Sequence, residues 1–290
     1  MKEAMLYQKL EDDKVKCAVC NHRCTIAPGK RGVCRVRENQ AGILYALTYG
    51  KTIAAHVDPI EKKPLYHFMP GTWIYSFATM GCNFRCSWCQ NWDISQSPKP
   101  DEPVLGTDIT PEQHIANALE YQCPSIAYTY NEPTVWVEYA LDTMKLAQAK
   151  GLKNVWVTNG YMSRETLDAI TPYLDAANVD FKGPNDGVYE KYCGAKPEPV
   201  MENLIYLHRA GVHIEITTLV VPGVNDKAEG IGKIANFIAQ QLSPAVPWHV
   251  TRFFPAWKMM DTAITPIETL RMAEQIGRDA GLKYVHVGNV

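Results

Sequence analysis

From residue 73 onward, short apolar runs alternate with longer segments of mixed polarity. The runs are rich in β-branched and aromatic residues, which favour β-strands, and they lie at residues 73–79, 125–130, 154–158, 177–181, 213–221, 249–253 and 283–287. Strand-like runs that alternate with helical segments are typical of a parallel sheet with right-handed crossovers. The pattern therefore predicts an α/β fold with seven parallel strands.

The segments between these runs carry start signals for helices. Thr110-Pro111 places a capping threonine before a proline that suits the first helical turn, and Thr265-Pro266 precedes another helical segment. Helices are predicted from residue 110 onward and at residues 133–150, 163–170, 227–241 and 267–280. Because no clear eighth strand and helix follow, the pattern favours an open, partial (β/α)6 barrel of the TIM type over a closed eightfold barrel.

Residues 1–72 differ from this pattern and are predicted to form a small cysteine-rich subdomain, followed by the barrel at residues 73–290. The spacing C-x2-C-x3-C-x9-C is formed by Cys17, Cys20, Cys24 and Cys34. Four thiolates close a coordination sphere, so the subdomain is predicted to hold either a structural zinc ion or a second iron–sulfur cluster. His22 lies inside the motif and is interpreted as a surface residue of this subdomain, with a role as a competing ligand as the alternative.

Composition narrows the class of protein. The chain has 290 residues, 46% hydrophobic and 21% charged, with a net charge of −2, so it lacks the basic surface expected of a nucleic-acid-binding protein. The N-terminal residues do not resemble a secretory signal, and no apolar run approaches the roughly 20 residues of a membrane helix. Nine cysteines without such a signal indicate reduced, metal-binding thiols and a cytoplasmic location.

A second cysteine motif follows the first predicted barrel strand. Cys82, Cys86 and Cys89 have C-x3-C-x2-C spacing, and Gly81 precedes them. Three thiolates can hold three irons of a [4Fe–4S] cluster and leave the fourth without a protein ligand, as a catalytic metal requires. A three-cysteine zinc site or a cluster of free thiols is the alternative.

Polar residues stand near the ends of several predicted strands, where parallel α/β folds bind ligands. Asp180 and Lys182 lie two positions apart and so share one face of a strand. The candidates for cofactor binding are Asn131, Glu132, Thr158, Asn159, Asp180, Lys182 and His249. The alternatives are an ordinary turn, a structural ion pair or a structural histidine.

The C-x3-C-x2-C loop resembles that of the radical SAM superfamily. Within it, the chain resembles the radical SAM enzyme of the AmmeMemoRadiSam system, which is similar to pyruvate formate-lyase activating enzymes; the segments that carry this resemblance are 17–34, 58–68, 81–92, 128–134 and 220–226. Two features depart from the family. Tyr130 and Asn131 replace the glycines that precede Glu-Pro, and the family's cysteine-containing tail beyond residue 290 is not in this sequence.

The resemblance implies a [4Fe–4S] cluster on Cys82, Cys86 and Cys89 that reductively cleaves S-adenosylmethionine to a 5′-deoxyadenosyl radical. It also implies cofactor contacts near Glu132 and His249, a flavodoxin-like or ferredoxin-like electron donor, and Memo-like and AMMECR-like partner proteins. The radical is expected to abstract hydrogen from a substrate that the sequence does not identify. The alternatives are an enzyme that installs a glycyl radical on a partner protein, and a non-catalytic iron–sulfur or zinc protein in electron transfer or assembly.

Overall fold

The computed structural model describes residues 1–290, except for the side chain of Asp186. In chain order its strands are β1 (Lys2–Glu3), β2 (Tyr7–Lys9), β3 (Val15–Cys17), β4 (Thr25–Ile26), β5 (Arg37–Gln40), β6 (Ile43–Ala46), β7 (Lys51–Thr52), β8 (Ala54–Pro59), β9 (Trp73–Ala78), β10 (Thr107–Asp108), β11 (Ser125–Tyr128), β12 (Lys153–Thr158), β13 (Ala176–Asp180), β14 (His213–Val220), β15 (Trp248–Arg252) and β16 (Val285–Gly288).

The helices lie mainly between the later strands. They are α1 (Trp92–Ser95), α2 (Pro111–Glu120), α3 (Val137–Ala149), α4 (Arg164–Ile170), α5 (Asp186–Val188), α6 (Glu198–Arg209), α7 (Ala228–Phe237) and α8 (Ile267–Asp279). Short 3-10 turns occur at Ile60–Lys62, Pro133–Trp136 and Thr171–Tyr173, and π-helical turns at Tyr189–Cys193 and Ile238–Leu242. Within the described part of the chain, no helix combines the length and apolarity needed to cross a bilayer.

An eight-stranded sheet organises the molecule, in the order β16-β15-β14-β13-β12-β11-β9-β8. Neighbouring strands from β9 to β16 pair in parallel, whereas β8 pairs antiparallel with β9. The order is linear, with β8 and β16 at its two ends, so the barrel is open between these edge strands. All the parallel strands leave their C-terminal ends at one rim, where the predicted site residues follow them.

This architecture confirms the predicted α/β fold with a partial barrel and all seven of its parallel strands, with small differences at their ends. The elements that were not predicted include the edge strand β8 and helix α6. Helix α6 begins beside two prolines, of which Pro199 is tolerated because it stands in the first turn.

The segment before the barrel forms two small antiparallel sheets, β1-β6-β5 and β2-β3-β4. It is fastened to the barrel by the bidentate pair of Arg23 with Glu165, at 2.6 Å for each bond, and by Asn21 Nδ2, which donates to the Met162 carbonyl at 2.7 Å. The division at residue 72 stays a prediction. Strand β8 shows that residues before 73 also contribute to the barrel sheet.

Candidate metal centre

The cysteines of the C-x3-C-x2-C motif lie on the loop that leaves the C-terminal end of β9. Cys82 is buried, and Cys86 and Cys89 are half-buried. Burial raises the pKa of Cys82 well above its usual value, and the nearby charges of Glu132, Cys86 and Cys89 raise it further. Burial likewise raises the pKa of Cys89 to about 11. Glu132 and the three cysteines therefore lie in one region. The thiols are protonated until a metal ion binds and displaces their protons.

Several hydrogen-bond donors surround the motif's sulfur atoms. The Phe84 N–H lies 3.3 Å from Cys82 Sγ, Asn159 Nδ2 lies 3.9 Å from the same atom, and the Ser95 hydroxyl lies 3.1 Å from Cys89 Sγ. Asn83 Nδ2 is buried and has no partner within the protein. Hydrogen bonds to cluster sulfurs tune reduction potential, so this donor set suits an iron–sulfur cluster.

Asn131 holds the cysteine loop against β11. Its Nδ2 donates to the carbonyls of Thr79 at 2.8 Å and Gly81 at 2.7 Å, and its Oδ1 accepts from Trp136 Nε1 at 3.1 Å. The amide is therefore used to position the loop. Direct binding of a cofactor by Asn131 stays a prediction.

Gly81 makes a close approach that a side chain would block. A Cβ there would lie 2.6 Å from Val36 Cγ1 and 2.9 Å from the Cys34 carbonyl oxygen, and the residue has a φ of +93°. Gly151 also has a positive φ, +75°, but a Cβ there would meet nothing within 4 Å. The two glycines thus share a backbone constraint and differ in steric crowding.

We expect Gly81→Ala to destabilise the fold more than Gly151→Ala does. The positive φ costs about 1–2 kcal/mol at either position, and crowding at Gly81 adds about 1–3 kcal/mol. Gly81→Ala should also lower iron loading, because the loop must shift. Denaturant unfolding and iron content after anaerobic reconstitution measure both effects, and equal behaviour of the two variants would show that the contact with residues 34–36 is unimportant.

Glu132 joins the ends of β11 and β12. Its Oε1 accepts from the Thr134 N–H at 3.1 Å and the Thr158 hydroxyl at 2.8 Å, and its Oε2 accepts from the Asn159 N–H at 2.7 Å. Burial raises the pKa of Glu132, although these hydrogen bonds lower it in part. Asn159 Nδ2 in turn donates to Asn83 Oδ1 at 2.7 Å. The structure therefore brings Glu132, Thr158 and Asn159 together beside Cys82.

Lys182 brings a positive charge to the other side of the loop. Its Nζ lies 2.8 Å from Asp180 Oδ2; the lysine side chain is buried and that of Asp180 is 44% exposed. Burial alone would lower the pKa of Lys182, but Asp180, Cys86 and Cys193 raise it well above its usual value. Lys182 is thus charged and close to Cys86, while Asp180 reaches solvent.

Cys193 is a neighbour of the motif that the sequence did not single out. Its carbonyl accepts from the Arg85 N–H at 2.8 Å, the Tyr192 carbonyl accepts from the Ser87 N–H at 2.9 Å, and a hydrogen bond with the Cys193 thiol raises the pKa of Cys86. No pattern surrounds Cys193 in the sequence. Its approach depends on the π-helical turn at Tyr189–Cys193, which no spacing rule predicts.

His249 lies in a different polar cluster, around Glu215 on β14. Glu215 is fully buried and accepts from Nε2 of His249 at 2.6 Å and of His213 at 3.1 Å, and from the backbone N–H groups of Tyr66 and His67. The His249 ring also packs edge-on against Tyr66. Cofactor contact by His249 stays a prediction.

We expect Glu215→Gln to be less stable than the wild type at neutral pH. Burial would raise the pKa of Glu215, but hydrogen bonds from His213, His249 and the backbone lower it from 4.5 to about 2. A depressed folded-state pKa means that the carboxylate stabilises the fold above pH 4.5, and that this contribution is lost as the pH falls toward 2.

The deficit of Glu215→Gln should therefore shrink across that interval, which urea unfolding at a series of pH values would measure. Glu229→Gln, at an exposed helical pair with Lys233, is the matched control and should stay close to the wild type. A deficit independent of pH would show that Glu215 is not ionised in the folded protein.

The four N-terminal cysteines line one small cavity, together with His22, Arg37 and Asn83. Burial raises the pKa of Cys34 to about 11 and that of Cys20 further. With the side chains in these rotamers, no three His, Cys, Asp or Glu residues among those described have the arrangement of a metal site. Metal binding at either cysteine set therefore requires the thiols to turn toward a common centre.

Comparison with protein families identifies the barrel and its cysteine loop. The model described as the radical SAM superfamily matches residues 77–236, more than half of the chain. The chain belongs to the radical SAM superfamily. Membership implies a [4Fe–4S] cluster and S-adenosylmethionine as cofactors, and the donors around Cys82 and Cys89 fit such a cluster.

A relative of this radical SAM protein matches it over the whole chain. An uncharacterised protein of Methanocaldococcus jannaschii, MJ0808, is 47% identical over 290 residues, which cover 100% of this chain and 86% of the relative. The pyruvate formate-lyase 1-activating enzyme of Escherichia coli is 24% identical over 173 residues, or 58% of this chain and 69% of that enzyme. The chain is thus similar in sequence to an activating enzyme.

Solved structures agree on the fold of the superfamily. A radical SAM methyltransferase from Sphaerobacter thermophilus superposes with a TM-score of 0.58 at 16% identity, covering 76% of this chain and 67% of that one. At this identity the likeness establishes the shared fold alone.

Proposed function

We propose that this chain reductively cleaves S-adenosylmethionine to methionine and a 5′-deoxyadenosyl radical, which abstracts hydrogen from a substrate not yet identified. The convergence of Glu132 and Asn159 on Cys82, at the rim where the parallel strands end, is the observation that carries the proposal. When bound, a reduced [4Fe–4S] cluster supplies the electron that this cleavage needs. Cys82, Cys86 and Cys89 are the residues that would hold it.

The surrounding residues have distinct tasks in this proposal. The Phe84 N–H and the Asn159 amide donate toward the Cys82 sulfur, and charged Lys182 lies beside Cys86. Positive and donor groups near thiolate sulfurs favour the more negative, reduced form of a cluster. These contacts would therefore ease uptake of the electron.

A cofactor with an amino-acid end needs groups of both charges. Asp180 and Lys182 offer one negative and one positive group at the rim, with the carboxylate partly open to solvent. Glu132, Thr158 and Asn159 form the adjoining polar surface, while Asn131 positions the loop. We assign S-adenosylmethionine to this surface, and we include His249 as a contact from the neighbouring cluster.

Activation of a glycyl radical enzyme is the second candidate, and the similarity to the Escherichia coli activating enzyme supports it. Such a reaction requires access for a loop of another protein. Strands β8 and β16 do not pair with each other, but His67, in the segment after β8, lies 2.9 Å from His286 on β16 (Nε2 to Nε2). Access on this side would therefore require that contact to open. The two candidates share the cleavage of S-adenosylmethionine and differ in where the radical goes.

The partners of the enzyme belong to the same proposal. The motifs at residues 17–34, 58–68 and 220–226 support membership of the AmmeMemoRadiSam system, with Memo-like and AMMECR-like proteins as partners. A flavodoxin-like or ferredoxin-like protein would supply the electron. Oxygen-sensitive thiolates of this kind need a reducing compartment, which supports the cytoplasm.

An assay for 5′-deoxyadenosine tests the proposal. Protein reconstituted anaerobically with iron and sulfide is incubated with S-adenosylmethionine and a strong reductant, with and without Memo-like and AMMECR-like proteins. We expect product in both cases and more with the correct partner. A protein-based glycyl radical, detected by electron paramagnetic resonance, would favour the second candidate. A reducible cluster that yields no product would indicate the non-catalytic alternative.

A further inference from the structure

The four N-terminal cysteines form a compact cage whose backbone is already organised. Cys17 ends β3, and its N–H donates to the Cys24 carbonyl at 2.9 Å, which holds the first and third cysteines together. Gly32 lies on the other wall, where a Cβ would come within 3.6 Å of Cys24 Sγ. Cys17 and Cys34 are buried, and Cys20 and Cys24 are half-buried. The four cysteines thus line one small cavity, although their thiols must still turn toward a common centre to share an ion.

The size of the cavity distinguishes a single metal ion from an iron–sulfur cluster as its occupant. The cavity lined by the four cysteines has about 10 Å³ of open space, which is about the room that one water-sized sphere needs. A cube of four irons and four sulfides is several times larger and would require the surrounding backbone to move apart. A single tetrahedral ion needs much less room than a cluster, and rotation of the thiols is the change that it would require.

Arg37 supplies an independent sign that thiolates belong here. Its side chain is buried and lines the cavity, and its terminal nitrogens bond Glu138, but its Nε is buried and has no partner in the protein. A buried N–H without an acceptor is costly. Since Arg37 lies close to Cys17 and Cys34, a metal-bound thiolate would provide the missing acceptor.

The cage also contacts the loop of the radical SAM cysteines. Asn83 lines the cavity, and its carbonyl oxygen lies 2.8 Å from His22 Nε2. Arg85 Nη1 donates to the Cys82 carbonyl at 2.8 Å, and its other terminal nitrogen donates to the Val33 carbonyl next to Cys34. The cysteine-rich segment therefore touches the loop that carries Cys82 at three points: at His22, at Val33 and, through Gly81, at Cys34 and Val36.

We propose that Cys17, Cys20, Cys24 and Cys34 bind one Zn²⁺ ion in tetrahedral, four-thiolate coordination, and that this ion fixes the position of the loop carrying Cys82. Binding replaces four thiol protons, which pass to solvent, by four zinc–sulfur bonds, with no change of oxidation state. Zinc binding itself does not depend on the proposed function. Only the importance of the ion for the loop that carries Cys82 rests on the proposed function.

Metal analysis of two matched variants tests the site. In Cys82→Ala/Cys86→Ala/Cys89→Ala, we expect about one zinc per chain and no iron after anaerobic reconstitution with iron and sulfide. In Cys20→Ala/Cys24→Ala, we expect zinc to be lost. Iron in the first variant, with or without sulfide, would overturn the zinc assignment, and so would zinc that persists in the second.

The wild-type protein provides a test that does not depend on the folding of variants. We expect Co²⁺, exchanged for zinc, to give the visible absorption of tetrahedral thiolate coordination, and zinc removal to speed hydrogen exchange at residues 81–89. Removal should also lower the iron affinity of the motif by roughly tenfold or more, as loss of supporting contacts does at other metal sites. Absence of the cobalt signal would overturn the site, and unchanged exchange would overturn its effect on the loop.

Discussion

Cys86→Ala is expected to reduce formation of 5′-deoxyadenosine to background and to prevent assembly of an intact [4Fe–4S] cluster. In the proposed assignment, the variant removes one of three protein ligands, and the motif has no further cysteine to replace it. Changes to supporting contacts alone cost about 10–100-fold in metal affinity or activity, so loss of a ligand should cost at least on the order of 100-fold. Cys82→Ala and Cys89→Ala should behave in the same way.

Two other cysteines provide matched controls. Cys123 is buried away from both motifs, and its replacement by alanine should leave cluster content and product unchanged. Cys193→Ala is the more stringent control, because the Cys193 thiol lies beside Cys86. We expect Cys193→Ala to retain iron and activity. If Cys193→Ala lost the cluster while Cys86→Ala kept it, the assignment of ligands by motif spacing would be wrong.

Arg37→Met is expected to have the largest effect on stability. The Arg37 guanidinium and the Glu138 carboxylate form two short bonds, 2.8 Å and 2.5 Å, and each side chain is 2% exposed. Removal of one partner from a buried ion pair leaves an uncompensated charge, at a cost of about 3–5 kcal/mol. The pKa of Glu138 should then rise, because in the wild type Arg37 holds this pKa below its usual value against the effect of burial.

The double variant Arg37→Met/Glu138→Leu separates charge from packing. Apolar replacement of both partners is often nearly neutral, so most of the lost stability should return. Urea unfolding of the wild type, the single variant and the double variant measures the coupling, with zinc content determined in the same samples because Arg37 lines the cysteine cage. A single variant within about 1 kcal/mol of the wild type would show that the pair is not effectively buried.

The barrel was predictable because its signal is local. Each parallel strand is an apolar run of its own, and capping residues such as Thr110 mark helix starts, here with a complete capping box to Gln113. Strand β8 was missed because Ala54–Pro59 is short, half-polar and ends in proline; it becomes a strand only by pairing with β9 at the sheet edge.

The residues of the site also differ in how far the sequence predicts them. Cys82, Cys86 and Cys89 are close in sequence, so their spacing predicts them as ligands, and the strand ends predict Glu132 and Lys182 as site residues; Asn83 lies inside the motif itself. Cys193 and Arg37 contribute through contacts between distant segments, which no motif encodes. Their signals are physical and not sequential: a buried nitrogen without a partner in Arg37, and a thiol beside Cys86 in Cys193.

Electron paramagnetic resonance of the reduced protein, recorded with and without S-adenosylmethionine, tests the central claim most directly. A cluster on Cys82, Cys86 and Cys89 with one iron free of protein ligands should change its spectrum when S-adenosylmethionine is added, and the change should be absent from Cys82→Ala/Cys86→Ala/Cys89→Ala. A reduced cluster whose spectrum is the same with and without S-adenosylmethionine would contradict the claim, because it would show a closed coordination sphere.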